Sequence, residues 1–289
     1  MIIDSHVHLY PPEVNRDPAG WAAAQGEPRF AALCTRQRAD GRPVQSFPSA
    51  DELLREMDRA GVARAVLLGW YWEKPASCSR QNRFFGQCVS AHPDRLAAFA
   101  AITPLAGHVP TLQEMHRARD DGLIGLGELS PHAQGYAMDD AGFYDVLTLA
   151  SDWKLPVNLH VTDPEGRDYP GRVATPLAEF VTLARAFPKV NFILAHWGGL
   201  LPIREPAARE LKNIFYDTAA SPLMYEPEIW SRFLAAVPAD RVLFGSDFPL
   251  NLFPKSEAQA EMARFIAEAQ TAGAGDAVLG GNAARLFMG

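Results

Sequence analysis

Residues 2–8 read Ile2-Ile3-Asp4-Ser5-His6-Val7-His8, an apolar pair running into two histidines separated by one residue. Read as a β-strand, the stretch alternates its side chains, so His6 and His8 fall on one face with Asp4 below them. Two imidazoles side by side on a strand are well placed to grip one divalent cation. A lone His-x-His is common on surfaces that bind nothing, so its weight depends on how the other apolar runs end.

Seven further short apolar runs follow, at residues 65–68, 97–102, 123–127, 156–160, 190–196, 214–217 and 242–245. Each is nearly continuous in hydrophobics, as expected of parallel strands covered on both faces, and amphipathic stretches lie between them. Strands and helices in this alternation predict a (β/α)8 TIM barrel rather than a doubly wound sheet. Ser49 with Glu52 forms a capping box ahead of Leu53, Leu54 and Met57, and Gly61 supplies the stop. Residues 177–187 read as the helix before the sixth strand, ended by Pro188. Residues 257–270 read as the eighth helix, and Asn282 as the cap of a short closing helix at 282–287. The rhythm breaks at residues 11–48, which are proline-rich and carry an Asp40-Gly41 turn signal. So long a first βα loop predicts a cover over the active-site face, with a floppy surface insert as the rival reading.

At 289 residues and 48% hydrophobic, the chain can bury a large core, and a single domain spanning 1–289 is expected. No apolar run approaches the roughly 20 residues that cross a bilayer. The histidine motif begins close to Met1, so neither a leader nor a membrane partner is expected, and the reading predicts a cytoplasmic protein. Cys34, Cys78 and Cys88 match no disulfide framework or zinc ribbon and read as ordinary thiols of a reducing compartment. A net charge of -7 without a Lys/Arg run argues against nucleic acid, yet leaves room for a small anionic substrate held by individual arginines. The expected partner is a small molecule, and a homo-oligomer is left open.

In a parallel barrel the reactive groups gather at the C-terminal ends of the strands. His6 and His8 lie on the first strand, Glu128 just after the fourth, His160 on the fifth, His196 on the sixth and Asp247 after the eighth. Imidazoles with a few carboxylates suit zinc or a similar divalent ion, and an incomplete protein shell leaves a position for water or substrate. Trp70, Tyr71 and Trp72 follow the second strand, where they either stack on a planar substrate or pack beneath the long first loop. Arg167 and Arg172 follow the fifth strand and are read as carboxylate anchors for the substrate, against the plainer reading as solvated arginines. Trp197 walls the pocket or plugs the barrel top. His92, His108, His116 and His132 read as bland.

Taken in order, Asp4-Ser5-His6-Val7-His8, Asn158-Leu159-His160, Ala195-His196-Trp197-Gly198-Gly199, Asp217-Thr218, Gly245-Ser246-Asp247-Phe248-Pro249 and the closing Gly281-Asn282-Ala283-Ala284-Arg285-Leu286-Phe287 resemble the amidohydrolase superfamily. The likeness is to its amidohydrolase-related branch, which also contains aminocarboxymuconate semialdehyde decarboxylase. The resemblance implies that His6, His8, His160 and Asp247 bind one metal ion, with zinc as first choice, and that His196 is an acid/base or electrophile beside it. Gly127-Glu128 resembles the place where binuclear members such as TatD-like nucleases set a bridging carboxylate; His160 and His196 would then hold a second ion with Glu128. One ion is expected ahead of two, because the branch is generally mononuclear. The expected activity is hydrolysis of a small ester, lactone or amide by metal-activated water, with Asp247 taking the water proton and His196 donating to the oxyanion or leaving group. The alternative is nonoxidative decarboxylation of a small unsaturated carboxylic acid, which the ligand residues do not separate from hydrolysis. A metal-free relative that binds substrate through the same residues is a third expectation.

Overall fold

Eight parallel strands lie in one sheet, in sequence order, in the computed structural model, which describes residues 1–287. They are β1 (Ile2–His8), β2 (Val62–Leu68), β3 (Leu96–Ala100), β4 (Gly125–Leu129), β5 (Val157–Leu159), β6 (Phe192–Leu194), β7 (Ile214–Asp217) and β8 (Val242–Leu243). The sheet closes on itself where Ser5 N–H donates to Phe244 O and His8 N–H donates to Phe248 O, at 2.8 and 2.7 Å. The expected (β/α)8 barrel is therefore the observed one.

Ile3, Val66, Leu68, Ala97, Phe99, Ile193 and Leu243 form one buried cluster although they come from strands on opposite sides of the barrel, so they fill its interior. The closing helix Asn282–Phe287 packs against this cluster and sets the Phe287 ring 5.3 Å from Phe99, edge to face. A larger apolar cluster lies between the strands and the surrounding helices. Because the interior is plugged with hydrocarbon from that end, polar side chains converge only at the other.

The chain enters the mouth through a register shift in β1 between Asp4 and Val7. Such a bulge changes which side a side chain takes, so Asp4 does not continue a simple alternation below the histidines. Its Oδ1 instead accepts the backbone N–H groups of His6 and Ser246, at 3.1 and 2.9 Å.

The long first connection is built rather than floppy. Residues 11–48 contain α1 (Pro12–Arg16), α2 (Pro18–Gln25) and α3 (Pro28–Thr35), each opened by a proline whose missing N–H costs nothing at a first helical position. Tyr10, Val14, Ala22, Phe30 and Trp72 make a buried cluster beneath them, joined by Trp21, Phe47 and Trp70. The Glu27 carboxylate accepts the N–H groups of Glu73 and Lys74, clamping the cover to the start of α5 (Pro75–Ala91). The Asp40-Gly41 turn is present, with Gly41 at φ 82° and its N–H on Arg38 O.

The helix α4 (Ala50–Ala60) has its capping box and a left-handed Gly61, and Leu177–Ala186 forms as expected. Two expectations are corrected. The eighth helix spans Ala263–Thr271 rather than 257–270: the Glu257 carbonyl is taken by Asn251 Nδ2 and Arg42 Nη1, and Met262 N–H is capped from outside by Glu56 Oε1. Asn282 is not a cap but the first residue of its helix. Its Nδ2 donates to Ala239 O and Val242 O, tying the closing helix to β8. No described helix is long and apolar enough to cross a membrane.

Candidate metal centre

Three acceptors set the tautomers of three buried histidines. His6 Nδ1 lies 2.9 Å from Asp217 Oδ2, His8 Nδ1 3.0 Å from Leu68 O, and His196 Nδ1 3.0 Å from Ala219 O. A carbonyl or carboxylate oxygen only accepts, so each Nδ1 carries a proton, and in the neutral ring each Nε2 presents a lone pair. His6 Nε2 and His8 Nε2 then face each other at 3.1 Å. Two lone pairs at that distance require a positive charge between them, a proton or a metal cation. A divalent ion bound at about 2.1 Å from each nitrogen sets tetrahedral or octahedral edges of about 3.0–3.4 Å, which this spacing fits.

Carboxylates complete the group. Asp247 Oδ1 is 3.2 Å from His8 Nε2 and 3.8 Å from His6 Nε2. Glu128 reaches both ways: Oε2 lies 3.9 Å from His8 Nε2, while Oε1 lies 3.0 Å from His160 Nδ1 and 3.6 Å from His196 Nε2. His160 Nδ1 and His196 Nε2 are themselves 3.2 Å apart. The donor atoms thus fall into two triads, His6/His8/Glu128 and Glu128/His160/His196, which share one carboxylate. His160 approaches the first pair through Glu128, a different arrangement from the single four-residue set that the resemblance implies.

The backbone places these atoms by close approach. At Gly127, φ is +147° and an added Cβ would lie 2.8 Å from Asn158 Cβ, so only glycine lets β4 press on β5 one residue before Glu128. At Gly245 a Cβ would lie 2.7 Å from His6 Cβ, so the end of β8 passes β1 only without a side chain there. Asp247 then sits at φ 67°, its N–H on His6 O at 2.9 Å.

The electrostatics ask for a cation. Burial alone would push the His6 imidazole down, yet the Asp217 carboxylate, then Asp247 and Glu128, hold it up to about 10. His196 is likewise penalised by burial and lifted to about 9 by Glu128 and Asp247. Burial raises the Glu128 and Asp247 carboxyls, but the surrounding imidazoles outweigh it and hold Glu128 well below its usual range and Asp247 below its own. Asp4 goes the other way, pushed up to about 6 by burial against its hydrogen bonds from Ser246 and His6.

The structure brings all six strand-end residues together, adds Asp217, which the sequence reading left without a role, and sets Tyr71 of the second-strand aromatics beside them. Asp217, fully buried, accepts from His6 Nδ1, Asn158 Nδ2, His196 N–H and Ala219 N–H. An acid ending the apolar run Ile214-Phe215-Tyr216 was the available signal. Tyr71 stacks on Trp70 at 3.9 Å and stands 5.2 Å from the His160 ring, forming a flat aromatic wall.

Of the other expected substrate contacts, Trp72 and Trp197 are corrected. Trp72, 1% exposed, packs under the cover against Phe30 and Trp21. Trp197 takes a left-handed φ of 58° in the turn after His196, which turns its ring into the core against Trp230 and Phe233, with Nε1 donating to Ser221 Oγ. Arg172 spends Nη2 on the carbonyls of Asp163 and Pro164, and Arg167 is exposed to solvent. His132 pairs with Glu179, and His108 with Asp145.

A family model described as Amidohydrolase matches residues 3–288. A search of curated proteins finds no match. Among solved structures, 5-carboxyvanillate decarboxylase from Sphingomonas paucimobilis is 19% identical, with 100% of this chain and 99% of that one covered and a TM-score of 0.74. The 4-oxalomesaconate hydratase from Rhodopseudomonas palustris is 18% identical, with 100% and 96% covered and a TM-score of 0.69. A dihydroxybenzoic acid decarboxylase from Polaromonas, solved with bound manganese and the inhibitor 2-nitroresorcinol, is 17% identical, with 99% and 96% covered and a TM-score of 0.69. At these identities the structural likeness is one of fold.

Proposed function

The chain belongs to the amidohydrolase family, and within it we propose a metal-dependent, nonoxidative decarboxylase of a small planar carboxylic acid. The observation that carries the reading is the aromatic wall of Tyr71 on Trp70 beside His160, a surface suited to a flat unsaturated ring held edge-on to the buried cluster. The decarboxylases among the solved structures of the same fold favour this reaction over hydrolysis of a lactone, ester or amide.

His6, His8, Glu128 and Asp247 would hold one divalent ion, with His160 and His196 on the far side of Glu128. A divalent ion there supplies Lewis acidity, polarising a substrate oxygen and offsetting carboxylate charge. Manganese ranks beside zinc, since the Polaromonas enzyme was solved with it. His196 keeps Nδ1 on Ala219 O and holds Nε2 toward His160 and Glu128, the side from which it would reach the reacting carbon. In the reaction, Nε2–H protonates the carbon that bears the carboxylate, the C–C bond breaks, CO2 leaves, and a proton from solvent restores the imidazolium. Asp247, held ionised among the imidazoles, would accept a hydrogen bond from a ring hydroxyl beside the substrate's carboxylate and so orient it. The cover formed by α1–α3 would keep bulk water from the aromatic wall, which favours protonation of carbon over attack by water.

Hydrolysis is the second reading, and one observation favours it. The two oxygens of Glu128 face different histidine pairs, an arrangement suited to two ions and an activated water. The test is incubation of the manganese- or zinc-loaded protein with hydroxylated benzoic acids and with lactones, measuring CO2 and deuterium uptake from D2O at the vacated carbon. CO2 with one deuterium per product supports the decarboxylase; lactone opening without CO2 transfers the assignment to hydrolysis. Activity that survives exhaustive chelation contradicts the metal requirement.

A further inference from the structure

A further buried carboxylate, Asp163, lies three residues past His160. Asp163 Oδ1 accepts the N–H of Glu165 and Arg204 Nη2, both at 2.9 Å, and Oδ2 accepts the Tyr225 hydroxyl at 2.5 Å. These partners come from three segments. Asp163 and Glu165 lie on the segment leaving β5 through His160. Arg204 ends the short helix Leu201–Arg204 that follows His196, and Tyr225 follows the helix Ser221–Met224 beyond Asp217. The stretches downstream of His160, His196 and Asp217 therefore meet on one carboxylate.

Further contacts tighten the same junction. Arg204 Nε donates to Gly199 O at 3.1 Å and Nη1 to Glu165 Oε1 at 2.5 Å. A Cβ at Gly199 would lie 3.1 Å from Val161 Cγ1 and 3.4 Å from Asp163 Cα, so the two segments press on each other directly. Between Asp163 and the metal cluster stands Thr162, whose Oγ1 is 3.3 Å from His160 Nε2.

The need for such a tie follows from where the sheet ends. Strands β5 and β6 pair only as far as Leu159 with Leu194, and the last rung is Ala195 N–H on Leu159 O. His160 and His196 both lie beyond it, yet their ring nitrogens stand 3.2 Å apart. We propose that Asp163 is a positioning residue that, by bracing the three segments together, sets the His160 and His196 imidazoles against Glu128, the carboxylate that reaches the ion. The proposal rests on the reading that this cluster takes a divalent cation. An amide at this position presents one oxygen and one NH2 to three donors, so at least one donor loses its partner and the brace slackens.

The test is titration of the full-length protein with Co2+ alone, followed by its visible absorption, which reports coordination geometry without any substrate. Asp163→Asn is expected to raise the Co2+ dissociation constant about tenfold, the low end of what loss of an outer partner costs a metal site, and to change the absorption band. The double variant Arg204→Gln/Tyr225→Phe keeps Asp163 but cuts the same ties, and the same shift is expected there if Asp163→Asn does not fold. Wild-type Co2+ affinity and an unchanged band in the folded variants, whatever their melting temperature, reduce the brace to a structural role and overturn the proposal. A wild-type protein that takes up no Co2+ overturns it together with the metal reading, whereas the identity of the product bears on the reaction alone.

Discussion

Asp217→Asn changes one oxygen for an NH2 at a fully buried position, and its effect can be followed atom by atom. The native carboxylate accepts four donors at 2.9–3.1 Å: His6 Nδ1 and Asn158 Nδ2 on one oxygen, His196 N–H and Ala219 N–H on the other. If the amide NH2 turned toward the two backbone N–H groups, both would be orphaned, at about 1–3 kcal/mol each. The amide oxygen therefore stays with the backbone and the NH2 faces His6. His6 Nδ1 must then accept, and its proton moves to Nε2, the atom that faces His8 Nε2 at 3.1 Å. A metal ion has to expel that proton and restore the other tautomer against the NH2, losing a hydrogen bond to a charged group worth about 1.5–3 kcal/mol. Metal affinity should fall about 10–100-fold, while circular dichroism stays native. Competition for Mn2+ against a fluorescent chelator measures it directly, and wild-type affinity in a folded Asp217→Asn protein would refute the tautomer argument.

The chelated protein should lose stability in alkali. His6 and His196 titrate at about 10 and about 9 in the folded chain, above the ordinary 6.5, so the stabilisation from their charged forms is complete below pH 6.5 and is lost as the pH rises through about 9 and about 10. Melting curves from pH 6 to 10 with chelator should fall steeply at the alkaline end, and metal should flatten the fall; a pH-independent melting temperature with chelator would contradict the assignment. Trp197→Ala, emptying a fully buried site, should cost about 3–5 kcal/mol in urea unfolding, and a variant with native stability would mean that the ring is not in the core. Tyr71→Leu should raise KM for planar acids with little change in the melting temperature, and an unchanged KM removes the aromatic wall from substrate binding. Ser49→Ala should cost about 1 kcal/mol through loss of its capping box, read by the same urea titration with activity as the control.

The barrel and the strand-end residues were legible because each rests on a local, repetitive signal. Parallel strands buried on both faces must be apolar throughout, so runs such as Phe192-Ile193-Leu194 announce themselves, and the ionisable residues that end them stand out by contrast. Ser49, Glu52 and Gly61 mark α4 by the chemistry of its own ends. The helix expected at 257–270 failed for the opposite reason. Its first turn is governed by Asn251, Arg42 and Glu56, residues far apart in the chain that claim backbone groups a local pattern assumes to be free.

The amino-acid order by itself determined the fold, the level at which His6, His8, Glu128, His160, His196 and Asp247 gather, and the family to which the chain belongs, because periodicity and strand ends are properties of neighbours in sequence. Tertiary structure alone decided what those residues face. Glu128 divides its oxygens between two histidine pairs, Asp217 fixes the tautomer of His6, and of the tryptophans read as substrate contacts Trp72 and Trp197 turn into the core while Trp70 backs Tyr71 at the wall. Those outcomes depend on distances of about 3 Å between residues up to 211 positions apart, and an Nδ1 proton or a left-handed φ has no signature in composition or spacing.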